Sequence, residues 1–118
     1  MTRFEVVVDA QQHKVPAVAV RGEIDIAAVP ALELALDGAI RDSAGPFVLD
    51  LCELEFLDSS GLRLILRARA LLAREDRELL IVCPPGPVRR MFDETGIADL
   101  LVLYSTPAEA AAALVPAR

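Results

Sequence analysis

The sequence is poor in the residue types on which many hydrolytic and redox enzymes depend. Its 118 residues include one histidine, His13, which lies in a polar stretch typical of a surface turn. A serine nucleophile would need His13 as its base, so catalysis of this kind is not expected. The chain also lacks a G-x-x-x-x-G-K-[ST] phosphate loop. These absences favour a binding protein over an enzyme, with no cofactor and no metal.

Basic charge and long apolar runs are also scarce. Twelve Lys and Arg residues stand against eighteen Asp and Glu residues, which gives a formal net charge of −6. Such a field repels phosphate backbones, so nucleic acid is not an expected partner. No apolar run approaches the roughly 18 to 20 residues of a membrane span, and residues 1–5 do not resemble the start of a signal peptide. We therefore expect a cytoplasmic protein without membrane insertion.

Two cysteines are too few for a disulfide framework. Cys52 and Cys83 each end an apolar run, and they form neither a Cys-x-x-Cys pair nor a cluster with histidine. Buried free thiols are the favoured interpretation. A redox pair is the alternative.

The order of apolar patterns predicts an α/β fold. A composition of 54% hydrophobic and 25% charged residues suits one packed domain over residues 1–118. Valine-rich runs separated by a polar turn predict an opening hairpin, and the later apolar runs predict further, buried strands. The predicted strands are 4–8, 15–20, 47–51, 79–83 and 100–104. Periodic apolar residues predict the intervening helices. These are 27–40, 62–73, 88–95 with Gly96 as its cap, and a last helix capped by Thr106 and Glu109.

The most informative stretch is Asp58-Ser59-Ser60-Gly61, where three small polar residues precede a helix. Asp58 is expected to be the N-cap, which leaves both serines in the first turn. Unpaired N–H groups and the helix dipole favour a phosphate at such a serine. A phosphate adds about −1.5 to −2 charge, which is enough to change the choice of partner. On this spacing alone, ordinary capping remains the favoured interpretation.

Three separated segments carry a further signal. They are Val20-Arg21-Gly22-Glu23-Ile24-Asp25, then Val48-Leu49-Asp50-Leu51 running to Phe56-Leu57-Asp58-Ser59-Ser60-Gly61-Leu62, and then Val88-Arg89-Arg90-Met91-Phe92 with Thr95-Gly96-Ile97. In this order they resemble the STAS domain family, and within it the bacterial anti-sigma factor antagonists of sporulation and stress response. The match covers nearly the whole chain. It implies a mixed sheet of four to five strands with about four helices, mainly on one side.

The resemblance also implies a mechanism of partner switching in transcription regulation. In the family, the unphosphorylated protein binds an anti-sigma factor that is also a serine kinase of the histidine-kinase-like ATPase fold, and a sigma factor is released. The kinase phosphorylates the second serine of the motif, which is Ser60 here, and a phosphoserine phosphatase restores it. We expect a monomer, because a module that binds by one face needs no second copy.

The same correspondence assigns residues to the kinase-binding surface. They are Asp25 and Asp58, and we expect Ser59, Gly61 and Arg63 to belong to the same surface. Many family members have a glycine where this chain has Arg63, whose guanidinium is expected close to a phosphate on Ser60 or within reach of an acidic partner.

A helical wheel also places Arg63, Arg67 and Arg74 on one face. This stripe is interpreted as a solvated face, with a docking edge as the alternative. Leu64 and Leu71 fall away from the core face formed by Leu62, Ile65, Leu66 and Leu72, so a partner could cover them.

A rival function lies within the same family. STAS domains also serve as subunits of ABC-type lipid-transport complexes and as parts of larger signalling assemblies, where they act by constitutive docking. The complete Asp-Ser-Ser-Gly motif favours the sigma-regulating branch.

Overall fold

The computed structural model describes residues 4–9 and 17–114, which form one mixed sheet and four α-helices. The strands are β1 (Phe4–Asp9), β2 (Ala17–Ile24), β3 (Phe47–Asp50), β4 (Leu54–Leu57), β5 (Leu79–Val82) and β6 (Val102–Tyr104). The helices are α1 (Val29–Arg41), α2 (Ser59–Ala73), α3 (Pro87–Thr95) and α4 (Pro107–Ala113), with a 3-10 turn at Ile97–Leu100. None of these helices is long and apolar enough to cross a membrane.

The sheet is mixed, as predicted, and it has six strands in the described ranges rather than four to five. The order is β1-β2-β3-β5-β6, with β1 antiparallel to β2 and the other pairings parallel. The additional strand, β4, pairs with β2 beyond the end of β3. β2 pairs with β3 at residues 17–19 and with β4 at residues 22–24. Its register against β4 shifts between Gly22, which has a φ of 91°, and Glu23.

The predicted elements agree with the structure except at their ends. β2 continues to Ile24, four residues beyond the predicted strand, and α2 begins at Ser59 directly after its cap. Gly96 ends α3 in the left-handed conformation, and Thr106 with Glu109 forms the predicted capping box. The predicted turn around residues 10–14, with His13, lies outside the described residues.

The main hydrophobic core lies on one face of the sheet, where α1, α2 and α3 all contribute side chains. Side chains alternate along a strand, so Leu79 and Ile81 of β5 join this core while Leu80 and Val82 point to the other face. Helix α4 contacts β5 and β6. We place α4 on this second face, so three helices cover one side and one covers the other, in agreement with the predicted arrangement.

The predicted core face of α2 is wrong at Leu64. The wheel placed Leu64 away from the core, but its side chain is only 4% exposed, whereas Leu66, predicted in the core, is half-buried. The reason is that α2 packs against α1 as well as against the sheet. Its buried face is therefore wider than contact with a sheet alone would require.

The cysteines differ from each other in environment. Cys83 is buried as predicted, but Cys52 is exposed, because β3 ends at Asp50 and Cys52 lies in the turn that leads to β4. Both are free thiols. Partial burial of its sulfur and the Asp50 carboxylate raise the pKa of Cys52 to about 12, and burial raises the pKa of Cys83 to about 11. Neither is a ready thiolate at neutral pH, which disfavours the redox interpretation.

Candidate functional site

Two aspartates come together because two parallel strands end in register. Ile24 is the last residue of β2 and pairs with Leu57, the last residue of β4. Asp25 and Asp58 follow directly, and the N–H of Asp58 donates to the carbonyl of Ile24 at 3.2 Å. The carboxyl ends of parallel strands thus place both aspartates at one edge of the sheet, where α1 and α2 begin.

Asp58 is the N-cap of α2, as predicted. Its carboxylate accepts hydrogen bonds from the N–H groups of Ser60 at 3.0 Å and Gly61 at 3.2 Å, and from the Ser60 hydroxyl at 2.5 Å. Burial acts to raise the pKa of Asp58, but these bonds and a fourth from the N–H of Ile26 outweigh it and lower that pKa below its ordinary value. Asp58 is therefore a carboxylate at neutral pH.

Asp25, like Asp58, accepts hydrogen bonds from backbone N–H groups that follow it in the chain. Its carboxylate accepts hydrogen bonds from the N–H groups of Ala27 at 3.0 Å and Ala28 at 3.2 Å, which closes the turn that leads into α1. Asp25 thus stabilises the segment that carries Ile26. Its predicted contact with a partner stays a prediction.

The two serines of the motif differ. Ser59 is exposed, while Ser60 is half-buried and its hydroxyl donates to Asp58. The N–H groups of Ser60 and Gly61 donate to Asp58, as expected of an N-cap, so they are not among the unpaired donors that would favour a phosphate. A phosphate on Ser60 would therefore lie beside the Asp58 carboxylate, which already accepts hydrogen bonds from these two N–H groups.

Gly61 allows α2 to approach the sheet closely. A Cβ atom at this position would lie 2.2 Å from Cδ1 of Leu57 and 3.1 Å from Cγ2 of Ile24, both of which are buried. Gly61 is itself buried. Its function in the structure is close packing, and its predicted contact with a partner is not tested by this observation.

Beside Ser60 lies an open groove between the first turns of α1 and α2. Its lining residues come from both helices and the turn before α1: Ile26, Val29, Pro30, Glu33, Ser60, Arg63, Leu64 and Arg67. Ile26 is 75% exposed, an unusual position for a large apolar side chain next to a polar motif. Ile26 was not predicted as a site residue. The sequence feature that could have indicated this residue is a large apolar side chain directly after Asp25, in a turn where polar residues are usual.

The predicted arginine stripe does not act as a unit. Arg67 binds Asp37 of α1 through two hydrogen bonds of 2.7 and 3.1 Å, so it joins the two helices. Arg74 lies exposed at the C-terminal end of α2, far along the helix from Ser60. Arg63 is exposed and has no hydrogen bond or ion pair with any residue that the structure describes.

Comparison with known proteins identifies the family. The STAS domain model matches residues 7–110 of the chain. The protein belongs to the STAS domain family. A curated relative, the anti-sigma-B factor antagonist of Staphylococcus aureus, is 33% identical over 90 residues, which cover 76% of this chain and 83% of the relative.

Two solved structures have a similar fold. The crystal structure of an anti-sigma factor antagonist from Mycobacterium paratuberculosis has a TM-score of 0.87 and 32% identity, covering 97% of this chain and 96% of that one. The Bacillus cell fate determinant SpoIIAA in its phosphorylated form has a TM-score of 0.69 and 21% identity, covering 93% and 99%. The second likeness shows the shared fold.

We predict that Gly61→Ala destabilises this STAS domain, because the added methyl group must displace Leu57 and Ile24 within a packed core. The free energy of unfolding should fall by about 2 kcal/mol, measured by urea denaturation. Gly38→Ala is the matched control, since a Cβ at Gly38, inside α1, meets only Nη2 of Arg41 at 3.8 Å. That change should stabilise by about 0.5 to 1 kcal/mol. Equal effects of the two substitutions would contradict the close approach.

A second prediction concerns pH. The pKa of Asp58 is lowered from an ordinary value of 3.8, so its stabilising effect is complete above that value and is lost as the pH falls through the lowered pKa. Asp58→Ala should cost about 1 kcal/mol of unfolding free energy at pH 7, and the difference from wild type should shrink in strong acid.

Urea denaturation at pH 7 and in strong acid measures this difference in unfolding free energy. Glu55→Ala is the control, because Glu55 is exposed on β4 and makes no hydrogen bond or ion pair with described residues. A cost for Asp58→Ala that is the same at both pH values would show that the capped carboxylate is not the source of the stability.

Proposed function

We propose that this protein is an anti-sigma factor antagonist whose binding to an anti-sigma factor is switched off by phosphorylation of Ser60. The observation that carries the proposal is the position of the Ser60 hydroxyl, which lines an open, partly apolar groove and donates to Asp58 at 2.5 Å. The names of the relatives from Staphylococcus and Mycobacterium support the antagonist function.

The change of charge at Ser60 supplies a physical reason for the switch. A phosphate of about −1.5 to −2 charge replaces a neutral hydroxyl next to the Asp58 carboxylate. An acidic group of the partner 4 Å from this phosphate would be repelled by about 4 kcal/mol per unit charge at the effective dielectric constant of a protein surface. Each 1.4 kcal/mol is about tenfold in affinity. Phosphorylation can therefore remove most of the affinity for a partner that packs against this groove.

The partner we propose is an anti-sigma factor that is itself a serine kinase with a histidine-kinase-like ATPase fold, and a phosphoserine phosphatase reverses the modification. Binding of the unphosphorylated protein releases the sigma factor. The Ser60 side chain is half-buried, so the partner must reach into the groove to modify it. SpoIIAA, which shares this fold, exists in unphosphorylated and phosphorylated forms, so the fold is compatible with such a modification.

Ile26 is the apolar anchor in this proposal. It is held between Asp25, which closes its turn, and Asp58, which accepts its N–H. A rigidly held, exposed isoleucine costs little conformational entropy when a partner covers it. It lies in the same groove as Ser60, so a partner that reaches the serine also covers Ile26.

The first test of the proposal is phosphorylation itself. The protein is incubated with ATP and an anti-sigma kinase from the same cell, and its intact mass is measured. We expect one phosphate, which disappears in Ser60→Ala and persists in Ser59→Ala, the control that removes the exposed neighbouring hydroxyl.

In calorimetry, Ser60→Ala should bind the kinase as wild type does, and Ser60→Asp should bind it at least about tenfold more weakly. Phosphate on Ser59 alone, or equal affinities, would contradict the switch.

A separate prediction concerns Ile26. Ile26→Ala should weaken binding of the kinase by roughly five- to tenfold, as expected when an apolar anchor at an interface is truncated. The control is Leu34→Ala on α1, because Leu34 is also 75% exposed but does not line the groove. Both variants should keep wild-type thermal stability, since neither side chain is buried. A loss of affinity in both variants, or in neither, would count against the groove as the binding site.

A further inference from the structure

A phosphate on Ser60 would find few free hydrogen-bond donors on the protein backbone. The N–H groups of Ser60 and Gly61 donate to Asp58, and that of Leu62 donates to the carbonyl of Asp58. The N–H groups of Ser60, Gly61 and Leu62 are therefore engaged before the phosphate arrives. A phosphate could use those of Ser60 and Gly61 only by displacing the carboxylate of Asp58.

The charges around Ser60 also disfavour an additional anion. The Asp58 carboxylate is bonded to the hydroxyl that would carry the phosphate, and Glu33 of α1 lines the same groove. Of the two arginines in the groove, Arg67 already binds Asp37 through both of its terminal nitrogens. The phosphate thus needs a cation that is not already committed.

Arg63 meets this need. It is three residues after Ser60 on α2, and residues separated by three positions lie on the same face of a helix, with Cβ atoms roughly 5 to 6 Å apart. Its side chain is exposed, lines the groove with Ser60, and has no ion pair with the described residues. A guanidinium can bind phosphate oxygens through two parallel hydrogen bonds.

We infer that Arg63 binds the phosphate of phosphorylated Ser60 through an ion pair within α2 and so holds it at the mouth of the groove. This inference rests on the proposed phosphorylation of Ser60. It gives Arg63 two states. In the unphosphorylated protein its guanidinium is available to an acidic group of the partner, and in the phosphorylated protein it is occupied. Phosphorylation therefore adds negative charge to the binding surface and also removes a cation from it.

The test places phosphoserine at position 60 during translation, by genetic code expansion, so that it does not depend on a kinase. The phosphate is titrated by ³¹P NMR in otherwise wild-type protein, in Arg63→Gln and in Arg69→Gln. Arg69 is the matched control, because it is exposed on the same helix, carries the same charge and does not line this groove.

We expect the midpoint of the phosphate titration to rise by about half a pH unit in Arg63→Gln, the size typical of an exposed ion pair. Arg69→Gln should leave the midpoint unchanged, and Arg63→Lys should restore part of the shift. Equal midpoints in Arg63→Gln and Arg69→Gln would overturn the inference. That result would leave the proposed function intact, whereas absence of phosphate after incubation with the kinase would contradict the function and leave the ion pair standing.

Discussion

The carboxylate of Asp58 joins the two segments on which the site depends. It accepts hydrogen bonds from the first turn of α2 and from the N–H of Ile26 before α1. The backbone N–H of the same residue continues the pairing of β4 with β2. One residue therefore fixes a helix start and a turn through its side chain, and a strand end through its backbone. The groove, the exposed isoleucine and the serine hydroxyl all take their positions from this arrangement.

Close packing at Gly61 extends that constraint to the whole of α2. Because the glycine lies against Ile24 and Leu57, the helix axis approaches the sheet, and Leu64 becomes buried beneath α1. With Gly61 and Leu64 facing the interior, Arg63 lies exposed beside Ser60. The position of the arginine is thus a consequence of where the glycine packs.

Much of the fold and part of the candidate site could be predicted from the sequence, and the predictions that failed did so for physical reasons. The cap Asp58 and the amphipathic α1 were predictable because each depends on neighbours within one or two turns. Strand β4 was missed because Glu55 and Phe56, its two central residues, are both exposed, so the usual alternation is absent. Leu64 was misplaced because a helical wheel does not show that a second helix packs beside the first. The hydrogen bond from the Ser60 hydroxyl to Asp58 was not predicted, because it depends on a side-chain rotamer that the sequence does not specify.

The ion pair between Arg67 and Asp37 joins the two helices whose first turns form the walls of the groove. Both side chains are partly exposed, so the pair adds little to the free energy of folding. Its two hydrogen bonds connect α1 to α2 beside the groove. In the proposed complex, a groove braced in this way would meet its partner with little ordering left to occur on association. Recognition would then be governed by complementarity of shape and by the rate of encounter rather than by induced fit.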